Sequence, residues 1–129
     1  MANLLIPSSM GELFDKITIL QIKAARISDP GKLKNVGHEL TLLEALAAEN
    51  SSLSGHADLM AELKAVNEAL WEIEDHIRDC EREQDFGPRF VALARAVYQT
   101  NDKRAEIKKQ INVLSGYDIV EEKSYAPTS

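Results

Sequence analysis

The residues with the most chemical potential lie in the second half of the chain. Glu68, Glu72, Asp75 and Asp79 recur at spacings of four, three and four. On a helix that pattern sets four carboxylates on one stripe. Such a stripe could hold Mg²⁺, which takes oxygen ligands and keeps several waters. Helical pyrophosphohydrolases that split nucleoside triphosphates use acids this way, and Glu72-Ile73-Glu74-Asp75 carries an ExxD echo. Their second element, an ExxE on another helix, is missing, because Glu39, Glu44 and Glu49 have other spacings. The four acids are therefore only weak metal candidates, and a solvated acidic face is the expectation. His76 and Cys80 stand four apart, with Glu72 four before His76, a spacing that a zinc site could use. Cys80, however, falls on an apolar seam, where a free cysteine acts as a small hydrophobe. Nothing in sequence sets a base beside it for nucleophilic catalysis. His38 and His56 have no ligand partner nearby in sequence. There is no Gly-rich phosphate loop and no G-x-S-x-G. No catalytic residue, metal or cofactor is expected on these grounds.

Arg104 is the most unusual position. Leu93, Val97, Thr100, Arg104, Ile107, Ile111 and Leu114 repeat at four and three. Thr100 and Arg104 interrupt that otherwise apolar seam, with Asn101 beside them. A seam arginine can form a polar layer that fixes register, or snorkel to solvent. It can also bind an anion inside the bundle, as small all-α chorismate mutases do with their substrate's carboxylates, an analogy of helical class only. The third reading makes Arg104, Asn101, Asn67 and Trp71 the candidate ligand-binding residues. Trp71 lies off the seam, so it either packs on the first or second helix or stands exposed as a binding hot spot.

The elements that position these residues are all helices. Leu59, Leu63, Val66, Leu70, Ile73, Ile77 and Cys80 form a heptad seam through Asp58–Glu83. That segment contains no Pro or Gly, and Asp58 can cap it after a break at Ser54-Gly55. Gly87-Pro88 opens a helix over 88–115, and Gly116 closes it. Ser9-Met10-Gly11-Glu12 has capping-box form ahead of a helix over 9–27, marked by Leu13, Ile17, Leu20, Ala24 and Ile27. Ser28-Asp29-Pro30 stops it and starts another over 30–49, marked by Leu33, Val36, Leu40, Leu43 and Ala47. Gly37 lies inside that second helix, either as a surface glycine or to permit close packing. Short connections make neighbouring helices antiparallel. The pattern predicts an all-α antiparallel four-helix bundle, a single domain over 1–129, with a long coiled-coil-like hairpin formed by 58–83 and 88–115. The tail 117–129 reads as irregular, although Ile119-Val120 could pair with Leu4–Ile6 as short terminal strands.

Seam matching also predicts a register. If Cys80 opposes Phe90, paired residue numbers sum to 170 and every seam position of the third helix meets one of the fourth. Arg104 then lies next to Asn67. A buried arginine cannot deprotonate and needs carboxylate or amide partners. Asn67 is one, and Glu62 or an acid of the first helix, such as Asp15, is another.

Composition narrows the function classes. The chain has 129 residues, net charge −6 and one cysteine. An acidic balance disfavours nucleic acid as a partner. One cysteine excludes an intramolecular disulfide framework and fits a reducing compartment, so a cytoplasmic location is expected. MANLLIPSS is neither a signal peptide nor a membrane span. Residues 58–83 carry nine acids and three bases, whereas 88–115 carry six bases and two acids. Two such helices could attract side by side. The first helix has apolar residues on more than one face, with Phe14, Ile19 and Ile22 beyond its seam. Self-association as a homodimer is the expectation from that excess.

Three stretches, IPSSMGELFDKITILQIKAARISDP, VNEALWEIEDHIRDCEREQDFGPRFVALARAVYQTNDKRAEIKKQIN and VEEKSYA, give the chain a family likeness. It resembles an uncharacterised bacterial family of about this length, a domain of unknown function. The resemblance implies a small bacterial cytoplasmic protein and transfers no catalytic residue. The first functional expectation is a non-enzymatic helical module that binds a protein partner or itself. The alternative is a small all-α enzyme that holds an anionic metabolite or nucleotide within the bundle.

Overall fold

A computed structural model describes residues 4–50 and 56–116. They form an all-α four-helix bundle with no strand among the described residues: α1 (Met10–Arg26), α2 (Pro30–Asn50), α3 (Ala57–Glu83) and α4 (Pro88–Ser115). Local chemistry accounts for the boundaries. Ser9 caps α1, its Oγ accepting from the Glu12 N–H at 3.2 Å. Asp29 caps α2, its Oδ2 accepting from the Lys32 N–H at 2.9 Å. Pro88 sits in the first turn of α4, where no N–H is needed. Gly116 ends α4 at φ 71°, a left-handed conformation that favours glycine. Gln84 takes the same role after α3 at φ 57°, and Asp85 Oδ1 accepts from the Gly87 N–H at 3.1 Å to tighten the turn.

Two local expectations are corrected. His56, not Asp58, occupies the cap position of α3, and it makes no side-chain capping bond. Asp58 instead lies in the first turn, where a negative charge suits the helix dipole. Leu4–Ile6 forms no strand and is exposed. Ile119-Val120 and the tail 117–129 lie outside the described residues, as does the Ser54-Gly55 break.

α1 is the shared neighbour of the bundle. It packs on α2, α3 and α4, while α3 and α4 pack on each other and α2 approaches only α1. Met10, Phe14, Ile17, Leu63 and Ile111 form the buried core, edged by Leu40, Leu43, Ala47, Leu59 and Ile107. The start of α1, the end of α2, the start of α3 and the end of α4 thus meet at one end of the bundle. α1 therefore runs antiparallel to α2 and α4, and parallel to α3.

This central position accounts for the wide apolar surface of α1. Phe14 and Ile22 are buried within the chain and Ile19 is half-buried. An uncovered first helix, the sequence argument for self-association, does not exist, because three intramolecular neighbours use those faces. Leu114, a seam position in the sequence, is 60% exposed. It lies in the last turn of α4, past the core layer of Ile111. Opposite charge adds little to the α3–α4 pairing. Arg89 Nη1 pairs with Glu83 Oε2 at 3.0 Å, across the turn and exposed. Such an exposed pair is screened by solvent and adds little.

The glycine that permits close packing is Gly11, not Gly37. A Cβ on Gly11 would lie 2.6 Å from the Lys108 carbonyl oxygen and 2.8 Å from Asn112 Oδ1, whereas nothing approaches Gly37 within 4 Å. The Gly11 N–H donates to Asn112 Oδ1 at 2.7 Å. One orphan donor of the first turn of α1 is thereby satisfied from another helix.

Candidate functional site

Asp15 lies one turn into α1, on the face turned to α3 and α4. Arg104 grips it with two donors, Nε to Oδ1 at 2.9 Å and Nη2 to Oδ2 at 2.5 Å. Asn67 Nδ2 donates to Asp15 Oδ1 at 3.0 Å and to Thr18 Oγ1 at 2.9 Å. Thr18 Oγ1 in turn donates to the Asp15 carbonyl at 2.9 Å. Lys108 Nζ stands 3.8 Å from Asp15 Oδ2 and 2.6 Å from Glu12 Oε1. The polar layer expected around Arg104 is present: Asp15 is the direct partner of Arg104, and Asn67 joins the layer through Asp15. Glu62, the other acid considered, is exposed.

The electrostatics follow from burial and pairing together. The Asp15 side chain is only 4% exposed, and burial alone would raise its pKa. The hydrogen bonds from Arg104 and Asn67 and the charges of Arg104 and Lys108 outweigh that, and hold the carboxyl below its usual value. Asp15 is therefore an ionised group that accepts three hydrogen bonds. It is suited to fixing three helices and unsuited to general acid–base work near neutrality.

Beside this layer opens a cleft of about 420 Å³, lined by residues of α1, α3 and α4. All four candidate ligand residues line it: Asn67, Trp71, Asn101 and Arg104. Ile19 and Leu70 add apolar wall, and Glu74, Asp75 and Arg78 are exposed around it. Asn101 Oδ1 lies 3.5 Å from Arg104 Nη1. Trp71 is half-buried, with the Arg26 guanidinium 5.9 Å from its ring centre. Its ring thus lies against the end of α1. A wider groove of about 870 Å³ runs over the hairpin, bordered by Ala65, Val66 and Ile107, and holds none of the four.

The acidic stripe is not drawn together. Glu72 pairs with Arg26 at 2.6 Å and Asp79 pairs with Arg82, while Asp75 is exposed. Among the described residues no three His, Cys, Asp or Glu side chains are grouped closely enough to hold a metal ion. Cys80 is fully buried.

Sequence reasoning missed Lys108, Thr18 and the Gly11–Asn112 contact. Lys108 had a readable signal, since it follows Arg104 by one helical turn and so shares its face of the fourth helix. Thr18 follows Asp15 at the spacing that lets a hydroxyl reach back to a carbonyl. His56 was set aside as lacking a ligand partner. It is buried, edge-on to Phe14 at 5.4 Å between ring centres, with Nε2 3.4 Å from Ser115 Oγ.

No helix among the described residues is long and apolar enough to cross a membrane. No curated protein and no solved structure matches the chain. A family model matches residues 5–129, so the protein belongs to that family of unknown function, DUF6165.

Proposed function

We propose that the protein is a non-enzymatic helical assembly module that joins a second copy of itself through one end of its bundle. The observation that carries this reading is the apolar surface at the end where α1 begins and α4 ends. Leu4, Leu5, Ile6, Leu46, Val113 and Leu114 are all at least 44% exposed there. Apolar surface gathered at one place on a small protein marks an interaction site more often than scattered exposure does. Twofold dimers are the commonest soluble assembly. A cytoplasmic setting fits the single cysteine, and the acidic balance speaks for a protein partner over nucleic acid.

The hairpin belongs to the same reading. A coiled-coil-like seam between α3 and α4, with paired numbers summing to 170, is supported by two observations. Asn67 and Arg104, one position off an expected pair, meet on Asp15, and Leu63 and Ile107, an expected pair, lie in the same core. A stiff hairpin of this kind is a scaffold for presenting the apolar end.

The enzyme reading, an anionic metabolite held by Arg104 or a nucleotide on the acidic stripe, has less support. Two donors of Arg104 are committed to Asp15, and Glu72 and Asp79 are paired with arginines. Sedimentation velocity at micromolar concentration tests the assembly. A dimer that returns to monomer in the V113K/L114K variant is expected. A lone 14.3 kDa species in the unmodified protein would overturn it.

A further inference from the structure

Three consecutive apolar side chains stand in solvent ahead of α1. Leu4, Leu5 and Ile6 are 91%, 88% and 73% exposed. Pro7 follows them, and a residue before proline favours extended backbone. Ser9 is extended as well, at φ −125° and ψ 164°. Side chains alternate along an extended arm, so Leu4 and Ile6 share one face and Leu5 takes the other.

A groove of about 420 Å³ lies at the same end of the bundle, between the start of α3 and the end of α4. Leu59, Val113 and Leu114 line it with apolar surface, and Val113 is 73% exposed. Gln110 is also on the lining, and its amide offers both donor and acceptor to an incoming backbone.

The arm of the same chain cannot fill this groove with Ile6. The arm leaves α1 beside Asn112, which accepts from the Gly11 N–H, and beside Lys108, whose carbonyl approaches Gly11. Gln110 is two positions from each, a rotation of about 200°. The groove therefore lies on the far side of α4 from the arm. A helix about 10–12 Å across measures roughly 17 Å round half its girth. Ile6 is three residues from Ser9 and reaches only about 10 Å at full extension. A second copy is free of that tether.

We propose that the Leu4–Ile6 arm of one copy seats in the groove of another, and that the exchange is reciprocal. Leu4 and Ile6 lie against Leu59, Val113 and Leu114, and Gln110 meets the arm backbone. Reciprocity follows from twofold symmetry, in which the same patches serve both copies. The four seated side chains and the walls they cover bury roughly 500–1,000 Å². Stable interfaces begin near about 1,200 Å², and Leu5 and Leu46, exposed at the same end, supply the remainder. This rests on the assembly reading and names the contact that makes it.

Two measurements on the full chain test the exchange. Leu4→Asp/Ile6→Asp changes only exposed side chains, and circular dichroism checks that the fold is kept. In sedimentation the dimer dissociation constant should rise by on the order of a hundredfold, because seating would bury unpaired charge. For the second, Ile6→Cys chains are mixed with tagged Gln110→Cys chains and treated with a short bis-maleimide. Cys80 is fully buried, so the added thiols are the ones that react. A cross-linked heterodimer is expected, and a chain carrying both substitutions should link to its partner, not to itself. A dimer that the aspartates leave intact, no link between the mixed chains, or a link confined to single chains would overturn the exchange and leave the assembly reading standing. A native protein that sediments only as monomer would overturn both.

Discussion

Asp15 shows how a buried charge is made tolerable. An isolated carboxylate in an apolar interior costs several kcal/mol or takes up a proton. Here two donors from Arg104 and one from Asn67 hold the ionised form. The sign of the pH dependence follows. A carboxyl whose pKa is lowered by folding adds stability above its unfolded value, near 3.8. That contribution is lost as pH falls through the lower folded value. Urea melts across the acid range should show the native protein losing stability below about pH 4 more steeply than Asp15→Asn. Equal slopes would show that Asp15 does not titrate this way. The two glycines make a matched pair at the same scale. Gly11→Ala drives a methyl group against the Lys108 carbonyl, a backbone atom that cannot rotate away. It should cost about 1–3 kcal/mol, typical of overpacking. Gly37→Ala meets open space inside a helix and should stabilise by about 0.5–1 kcal/mol. Thermal unfolding of both variants checks the pair, and a shift in the same direction would contradict it.

At the scale of elements, the helices differ in how much holds them. α1 has three packed neighbours, whereas α2 has one and buries a single residue, Val36. Hydrogen exchange should therefore release α2 amides ahead of those at the centres of α1, α3 and α4, since local stability follows buried contacts. Uniform protection across all four helices would show that α2 is tied down as firmly as the rest. The elements were the most legible part of the sequence. Ser9, Asp29, Pro88 and Gly116 signal helix ends through local backbone chemistry, and those helix ends fall within one residue of expectation. The arrangement of α2 was not legible. Leu33, Val36, Leu40, Leu43 and Ala47 show which stripe is apolar but not how many neighbours cover it. Nor could periodicity reveal that Phe14 and Ile22 mark a central helix. A wide apolar face looks the same whether another chain or the same chain buries it. The close approach at Gly11 was hidden for a related reason, because it depends on Asn112, 101 positions away.

At the scale of the whole molecule, one polar layer ties α1 to the α3–α4 hairpin, and the apolar core lies to one side of it. Part of that layer was readable, because Arg104 broke an apolar seam and seam matching brought it level with Asn67. Asp15 stood among the acids of the first helix, but only the packed bundle singles it out. The central claim is that this layer is structural, and a double-mutant cycle on Asp15 and Arg104 tests it most directly. Equilibrium urea denaturation at pH 7 would compare Asp15→Ala, Arg104→Ala and the double variant. Each single change strands a partner and should cost roughly 3–5 kcal/mol, while the double change should cost well below their sum. A large coupling energy is the predicted result. Additive losses, or an Arg104→Ala variant as stable as the native protein, would contradict it.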